Sequence, residues 1–299
     1  MCGIVGLYLK DRAQAPELGG MLAEMLVTMT DRGPDSAGLA VYGADAPGEV
    51  KLTLRDAAGG AGFDGLEAAL RAEPGCAEAR LSVNDSHAVL RLPFAAEGPA
   101  RAALERLRPD MAVLSAGQAI EIYKEVGRPA DVVARFEVSR MAGTHGIGHT
   151  RMATESAVTP LGAHPFSTGA DQCLAHNGSL SNHNRLRRAL MRRGRAFATR
   201  NDSEVAAAYL SDRMAEGRDI GGALDDGLSA LDGFYTFVVG TARGFGVLRD
   251  PIACKPAMMA ETDDYVAFGS EYRALAVLPG IDRARVWEPD PATVYSWGH

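Results

Sequence analysis

The chain has 299 residues, 46% of them apolar, and a formal net charge of −7 at neutral pH. That length can bury a substantial core in one large domain or two smaller ones, and the acidic balance argues against a nucleic-acid-binding role. Cys2, Cys76, Cys173 and Cys254 are scattered without a CxxC pair, so neither a zinc site nor a disulfide scaffold is indicated, and a reducing cytosol fits. Lys10, Asp11 and Arg12 interrupt the first apolar run and no stretch is long enough to span a membrane. The expectation is a cytoplasmic protein without membrane contact.

Residues 3–9 read as a short buried strand. Met21, Leu22, Met25, Leu26 and Met29 recur at helical spacing, which predicts a helix over 16–30 with a methionine-rich core face. Arg32-Gly33-Pro34 ends it, and 36–42 reads as a strand. Between 44 and 115 the predicted order is strand 49–55, helix 64–72, strand 79–83, strand 87–92, helix 99–107 and strand 111–115. This β-α-β-β-α-β series is the ferredoxin-like, split-βαβ unit, expected as a small inserted lobe. A strand at 119–124 and a helix at 130–136 follow, the latter started by Pro129. Helices are expected at 184–193, 202–215 and 220–228. Beyond Phe234 the chain turns β-rich, with strands at 234–240, 245–249, 257–261, 265–270 and 293–296 and a helix at 271–277. Strand pairs alternating with helix pairs, without a regular βαβ repeat, argue for layered α+β architecture.

The residues that carry chemistry begin at the second position. Removal of Met1 would leave Cys2 with both a thiol and a free α-amine, a nucleophile and a base in one residue. An unperturbed α-amine titrates at roughly 7.7–8.0, which suits proton transfer near neutrality. The same hexapeptide also reads as the plain start of a buried strand, and taken alone it does not choose.

Four more stretches stand beside it: Arg32-Gly33-Pro34-Asp35-Ser36-Ala37-Gly38, Gly148-His149-Thr150-Arg151-Met152-Ala153-Thr154, Ala175-His176-Asn177-Gly178-Ser179 and Asn201-Asp202-Ser203-Glu204. With the Cys2 start they resemble the class II glutamine amidotransferase domain, an N-terminal-nucleophile hydrolase. Leu231-Asp232-Gly233-Phe234-Tyr235, Arg249-Asp250-Pro251 with Lys255-Pro256, and Gly269-Ser270-Glu271 extend the likeness over almost the whole chain apart from the 44–115 lobe. The resemblance implies a four-layer αββα sandwich over residues 2–299, with that lobe inserted. It implies attack by Cys2 on the side-chain amide of glutamine, with the Asn177 side chain and the Gly178 backbone N–H receiving the oxyanion. It assigns Arg151 to the α-carboxylate, Asp202 to the α-ammonium, Thr154 to the pocket lining and Arg32 to the nucleophile's surroundings.

Each assignment suits the residue type. An oxyanion needs preorganised donors, and a guanidinium matches a carboxylate bidentately. Each residue also has a plainer use: Asn-Gly as a hairpin turn, Asp202 as a helix N-cap, Arg32 as a cation at a helix C-terminus. Met152 stands where some members of the family carry an aromatic residue, and Glu155 where the sugar-phosphate branch has histidine.

The run Tyr123-Lys124-Glu125-Val126-Gly127-Arg128-Pro129, with Thr144-His145 and Ala163-His164-Pro165-Phe166, resembles the amidotransferase subunit of N-methylglutamate synthase and related glutamate-synthase-like proteins. That branch implies no cofactor in this chain. It places FMN and an iron–sulfur cluster on partner subunits, a glutamate-synthase-like flavoprotein and a third small subunit. A separate partner is also expected because the sequence leaves no room for an acceptor domain. Two rival readings are a free-standing amide hydrolase of the same fold and a non-catalytic glutamine-sensing subunit. Arg151 and Asp202 oppose the first by fitting a free amino-acid head group. Cys2, Asn177 and Gly178 oppose the second. His145, His149, His164 and His176 do not predict a metal site, because their segment is glycine-rich and helical spacing has no meaning there. The arginines at 185, 187, 188, 192, 193 and 195 read as a solvated helix face.

Overall fold

Consecutive residues of the first strand belong to different cores. The computed structural model describes residues 2–152 and 158–298, and in it Val5, Leu7 and Leu9 pack against helices while Ile4 and Tyr8 pack against a second sheet. The two-residue period of a strand puts neighbours on opposite faces, so a strand apolar at every position is covered on both sides.

The chain forms β1 (Gly3–Leu9), α1 (Leu18–Thr28) and β2 (Ser36–Tyr42). Next come β3 (Glu49–Asp56), α2 (Leu66–Arg71), β4 (Arg80–Asn84), β5 (His87–Pro93), α3 (Glu97–Leu107) and β6 (Met111–Gly117). They are followed by β7 (Ile120–Val126), α4 (Pro129–Arg135), β8 (His145–Arg151), β9 (Phe166–Gly169), β10 (Gln172–Leu180), α5 (His183–Arg192), α6 (Asp202–Ala215) and α7 (Ile220–Ala230). The remainder is β11 (Gly233–Thr241), β12 (Gly244–Arg249), β13 (Met258–Glu261), β14 (Tyr265–Gly269), α8 (Tyr272–Leu275), β15 (Arg285–Trp287) and β16 (Val294–Gly298).

Seven strands build one antiparallel sheet in the order β15-β13-β14-β1-β8-β2-β7, and five build another in the order β16-β12-β11-β10-β9. Ile4, Ile147, Cys173, Ala175, Val238 and Phe245 fill the layer between them. The outer face of the larger sheet is covered by α1, whose Leu18, Leu22, Met25 and Leu26 are buried, together with α8. The outer face of the smaller sheet carries α6 and α7 through Ala206, Leu210, Ala223 and Leu224. Each fully buried aliphatic side chain in these layers contributes roughly 1.5–3 kcal/mol of transfer free energy.

The elements from β3 to β6 pair among themselves, all antiparallel, in the order β4-β5-β3-β6. They enclose their own core of Leu52, Leu54, Leu66, Leu70, Leu90 and Leu104. β3 meets the main body at β7, where the Ile122 N–H donates to Thr53 Oγ1 at 3.3 Å and Arg55 pairs with Glu125 at 3.2 Å.

Several local expectations need correction. Asn177-Gly178 is not a hairpin turn: both residues lie inside β10, opposite Thr236 and Tyr235 of β11. The glycine- and histidine-rich segment before Arg151 is strand β8, an interior strand of the larger sheet between β1 and β2. The N-cap of α6 is Asn201, whose side chain accepts from the Ser203 N–H, while Asp202 is the first helical residue. The basic helix α5 ends at Arg192. Arg187 donates to the carbonyls of Thr199 and Asn201, and Arg193 and Arg195 pair with Asp212, so these three cations tie the end of the helix to its neighbours, while Arg185, Arg188, Arg192 and Arg193 are exposed as a solvated face requires.

Candidate active site

Strand parity decides what faces what. Cys2 precedes β1 by one residue and shares the parity of Ile4, which points into the layer between the sheets. On β10, Cys173 and Ala175 point into the same layer, and Asn177 continues that series from the opposite sheet. On β8, Arg151 follows Ile147 with the same parity, and the register Gly3↔Thr150 brings it level with Cys2. Residues remote in sequence therefore converge at one end of the inter-sheet layer.

The hydrogen bonds show which of them meet. Arg32 Nε donates to the Cys2 carbonyl at 3.0 Å, and its Nη1 reaches Glu271 Oε1 at 2.5 Å. Asn177 Nδ2 donates to the same carbonyl at 3.3 Å and to Ser270 Oγ at 3.2 Å. Ser270 Oγ also accepts from the Ile4 N–H at 2.9 Å, and the Ser270 N–H returns a bond to the Ile4 carbonyl at 2.9 Å. Cys2 is half-buried and its thiol is free, while Asn177 is buried with its Oδ1 unpartnered.

Gly178, the next residue, is exposed and holds φ at +147°. A Cβ there would stand 2.0 Å from the Phe234 carbonyl oxygen, so only glycine lets β10 and β11 approach at this point. Asp202 sits two residues past Gly178 in space: its Oδ2 accepts the Leu180 N–H at 2.8 Å. Arg151 donates from Nη1 to the Gly162 carbonyl at 3.4 Å. Thr154 lies outside the described residues.

Beneath Asn177 is a buried imidazole cluster that sequence reasoning did not assemble. Ser203 Oγ stands 2.8 Å from His164 Nε2 and 2.8 Å from His176 Nδ1. The His149 and His164 rings lie 4.2 Å apart. Burial pushes all three imidazoles down, His149 to about 3, His176 to about 4 and His164 well below its ordinary value. They are neutral hydrogen-bonding groups at physiological pH. His145 belongs elsewhere, bonding the Thr241 carbonyl at 2.9 Å and stacking on Tyr42. Among the described residues no group of three or more histidine, cysteine or acidic side chains is disposed to hold a metal ion.

Ser270 and Glu271 also join the site, although the sequence offered them only as part of a motif. Their signal was present: glycine, serine and glutamate directly after an apolar strand that pairs with the strand of the nucleophile. The arrangement brings together a half-buried thiol, a carboxamide bonded to the same residue's carbonyl and the exposed glycine beside it, with the Arg151 guanidinium at the end of β8 and the Asp202 carboxylate at the start of α6. Such a set can attack an acyl carbon, receive an oxyanion and hold a zwitterionic head group.

A family model described as a glutamine amidotransferase domain matches residues 149–277. The chain is 64% identical over 299 residues to the glutamine amidotransferase-like protein GlxB of Rhizobium meliloti, covering 100% of this chain and 99% of that one. It is 33% identical over 171 residues to an amidophosphoribosyltransferase of Synechocystis, covering 54% of this chain but 34% of the relative. Among solved structures, the glutamine phosphoribosylpyrophosphate amidotransferase of B. subtilis superposes with a TM-score of 0.61 at 19% identity, covering 99% of this chain and 49% of that chain. The chain thus spans about half of that solved structure, which shares its mixed α/β fold with antiparallel sheets.

Proposed function

This chain belongs to the glutamine amidotransferase family, and from that membership we propose that it hydrolyses the side-chain amide of glutamine through a thioester on Cys2. The α-amine of Cys2 takes the thiol proton as the Cys2 sulfur attacks the amide carbon. The oxyanion that forms is received by the Gly178 N–H and by Asn177 Nδ2, which turns one of its two hydrogens from the Cys2 carbonyl or Ser270 Oγ to do so. As the C–N bond breaks, the leaving nitrogen takes a proton from the α-amine of Cys2 and departs as ammonia. Water then attacks the thioester, giving its proton back through the amine and releasing glutamate and the thiol. Arg151 holds the α-carboxylate and Asp202 the α-ammonium. Thr154 is assigned to the pocket lining.

The observation that carries this reading is the convergence of Arg32 and Asn177 on the Cys2 carbonyl, at 3.0 and 3.3 Å. Three separated motifs meet at the nucleophile's own backbone. In fold terms the reading is an αββα N-terminal-nucleophile sandwich carrying a ferredoxin-like lobe. Its nitrogen acceptor is assigned to a partner flavoprotein of the glutamate-synthase or N-methylglutamate-synthase type, with FMN and an iron–sulfur cluster on partner subunits. That finer assignment rests on the 123–129 and 163–166 runs. A cytoplasmic location is in keeping with the free cysteines; among the described residues no helix is long and apolar enough to cross a membrane.

The test is labelling of purified protein with a diazoketone analogue of glutamine, followed by intact-mass measurement. One adduct on Cys2, on protein lacking Met1, is expected, with glutaminase turnover abolished in Cys2→Ala. An adduct elsewhere, or full activity with Met1 retained, overturns the mechanism. Glutaminase rates of the chain alone and with its co-purifying partners test the coupling: equal rates would favour a free-standing hydrolase.

A further inference from the structure

β7 carries a cation in the protein interior. Lys124 is 4% exposed, and its ammonium donates to three backbone carbonyls, Ala163 at 3.0 Å and Leu161 and Pro165 at 3.4 Å each. Nζ also lies 4.9 Å from the centre of the Phe166 ring. Among the described residues its hydrogen-bond partners are carbonyls rather than carboxylates. A buried ammonium is costly even with the Glu204 carboxylate acting on it through space, and an apolar side chain of the same length would fill the space without that cost.

The three carbonyls come from alternate residues of one loop. The carbonyl between the first two, that of Gly162, accepts from Arg151 Nη1 at 3.4 Å. Lys124 and Arg151 therefore grip the same short loop at alternating carbonyls. The loop also lies hard against β2, where a Cβ on Gly38 would stand 2.1 Å from the His164 carbonyl oxygen. From the loop His164 reaches Ser203, which in turn holds His176, the residue before Asn177.

We propose that Lys124 is a positioning residue for the glutamine pocket: its ammonium fastens the 161–165 loop, and the loop fixes Arg151 and, through His164 and Ser203, the strand that carries Asn177. The proposal rests on the glutamine reading given above. Its physical content is that three donors on one side chain hold a turn of backbone that has no sheet partner of its own. The substrate's carboxylate clamp is braced by the same turn.

Lys124→Met keeps the length and apolar stem and removes the donors. Amide hydrogen exchange across 161–166 is expected to quicken by ~10-fold or more, while α6 stays protected. KM for glutamine is expected to rise ~10-fold with kcat changed by less than about threefold, because an interaction that orients the bound head group is lost. Lys124→Gln, which still donates to a carbonyl, should fall between. Unchanged loop exchange overturns the proposal whatever the activity. Faster exchange with unchanged KM overturns it as well, and failure of both variants to fold would make Lys124 a structural residue only. Calorimetry with Cys2→Ala separates the two readings. If Cys2→Ala does not bind glutamine, the functional reading falls and takes this proposal with it. If it binds and Lys124→Met does not weaken that binding, the positioning role alone falls.

Discussion

Arg32 and Cys2 are joined by one hydrogen bond, from the guanidinium Nε to the Cys2 carbonyl at 3.0 Å, and Glu271 takes the other side of the same guanidinium. The bond fixes the backbone of Cys2, the proposed nucleophile, without touching its sulfur. Arg32 thus does more than place a positive charge at a helix end: it clamps the start of β1 to the turn after β14.

Glu271→Gln should loosen that clamp while leaving the fold intact, since Glu271 is partly exposed. Glutaminase kcat is expected to fall ~10-fold, as misplacing a reacting group by a fraction of an ångström costs that much or more. An unchanged kcat in a variant of unaltered Tm would remove Arg32 and Glu271 from the mechanism.

Arg151→Lys and Asp202→Asn should each raise KM for glutamine. Hydrogen bonds to charged groups are worth ~1.5–3 kcal/mol, so losses of ~10- to 150-fold in kcat/KM are expected. Lysine keeps the charge but not the paired donors. Asparagine can still accept the Leu180 N–H, so Asp202→Asn separates substrate charge from strand-end structure. Steady-state kinetics with glutamine against a γ-glutamyl substrate lacking the α-ammonium would show whether the Asp202 effect follows that ammonium.

Gly178→Ala places a methyl 2.0 Å from the Phe234 carbonyl oxygen at a φ of +147°. Strain of ~1–3 kcal/mol is expected, visible as a lowered Tm, with glutaminase lost because the oxyanion donor is displaced. A variant with parental Tm and turnover would show that β10 and β11 can separate here at no cost to the site.

The buried imidazoles set an acid limit. Each is held neutral, with a folded value below the unfolded one of 6.5: about 3 for His149 and about 4 for His176. Between those values and about 6.5 the unfolded chain binds more protons, so stability rises with pH there. It is complete above about 6.5 and is lost as the pH falls towards 4. Tm measured from pH 8 to pH 4 should decline below 6.5, and His149→Gln should flatten part of that decline. An identical profile in His149→Gln would take this imidazole out of the acid response.

The sequence made the apolar strands and most helices readable because their period is set by burial: β1 was expected at 3–9 and found there, and α6 was expected at 202–215 and found there. It hid β8 and β10. Gly146, Gly148, His145 and His149 have poor strand propensity, yet β8 is held between β1 and β2, where its pairing overrides local preference. Asn177-Gly178 carried the strongest short hairpin signal in the chain and sits mid-strand, because the close approach of β11 requires a glycine there. Cys2, Arg32 and Asn177 could be named from their motifs. The contacts of Ser270, Glu271 and Lys124 could not, since each partner lies in a segment that only the folded topology brings near.

Cys2, the proposed nucleophile, leads into a strand of one sheet and Asn177 lies on the other, and Ile4, Ile147, Ala175, Val238 and Phe245 lie between. On the proposed mechanism, the gap available to a reacting amide is therefore set by the thickness of this apolar layer. A wedge or a void in that layer would act like a shim. Ile147→Ala, for example, should alter turnover by letting the sheets settle together, although no atom of the site is changed.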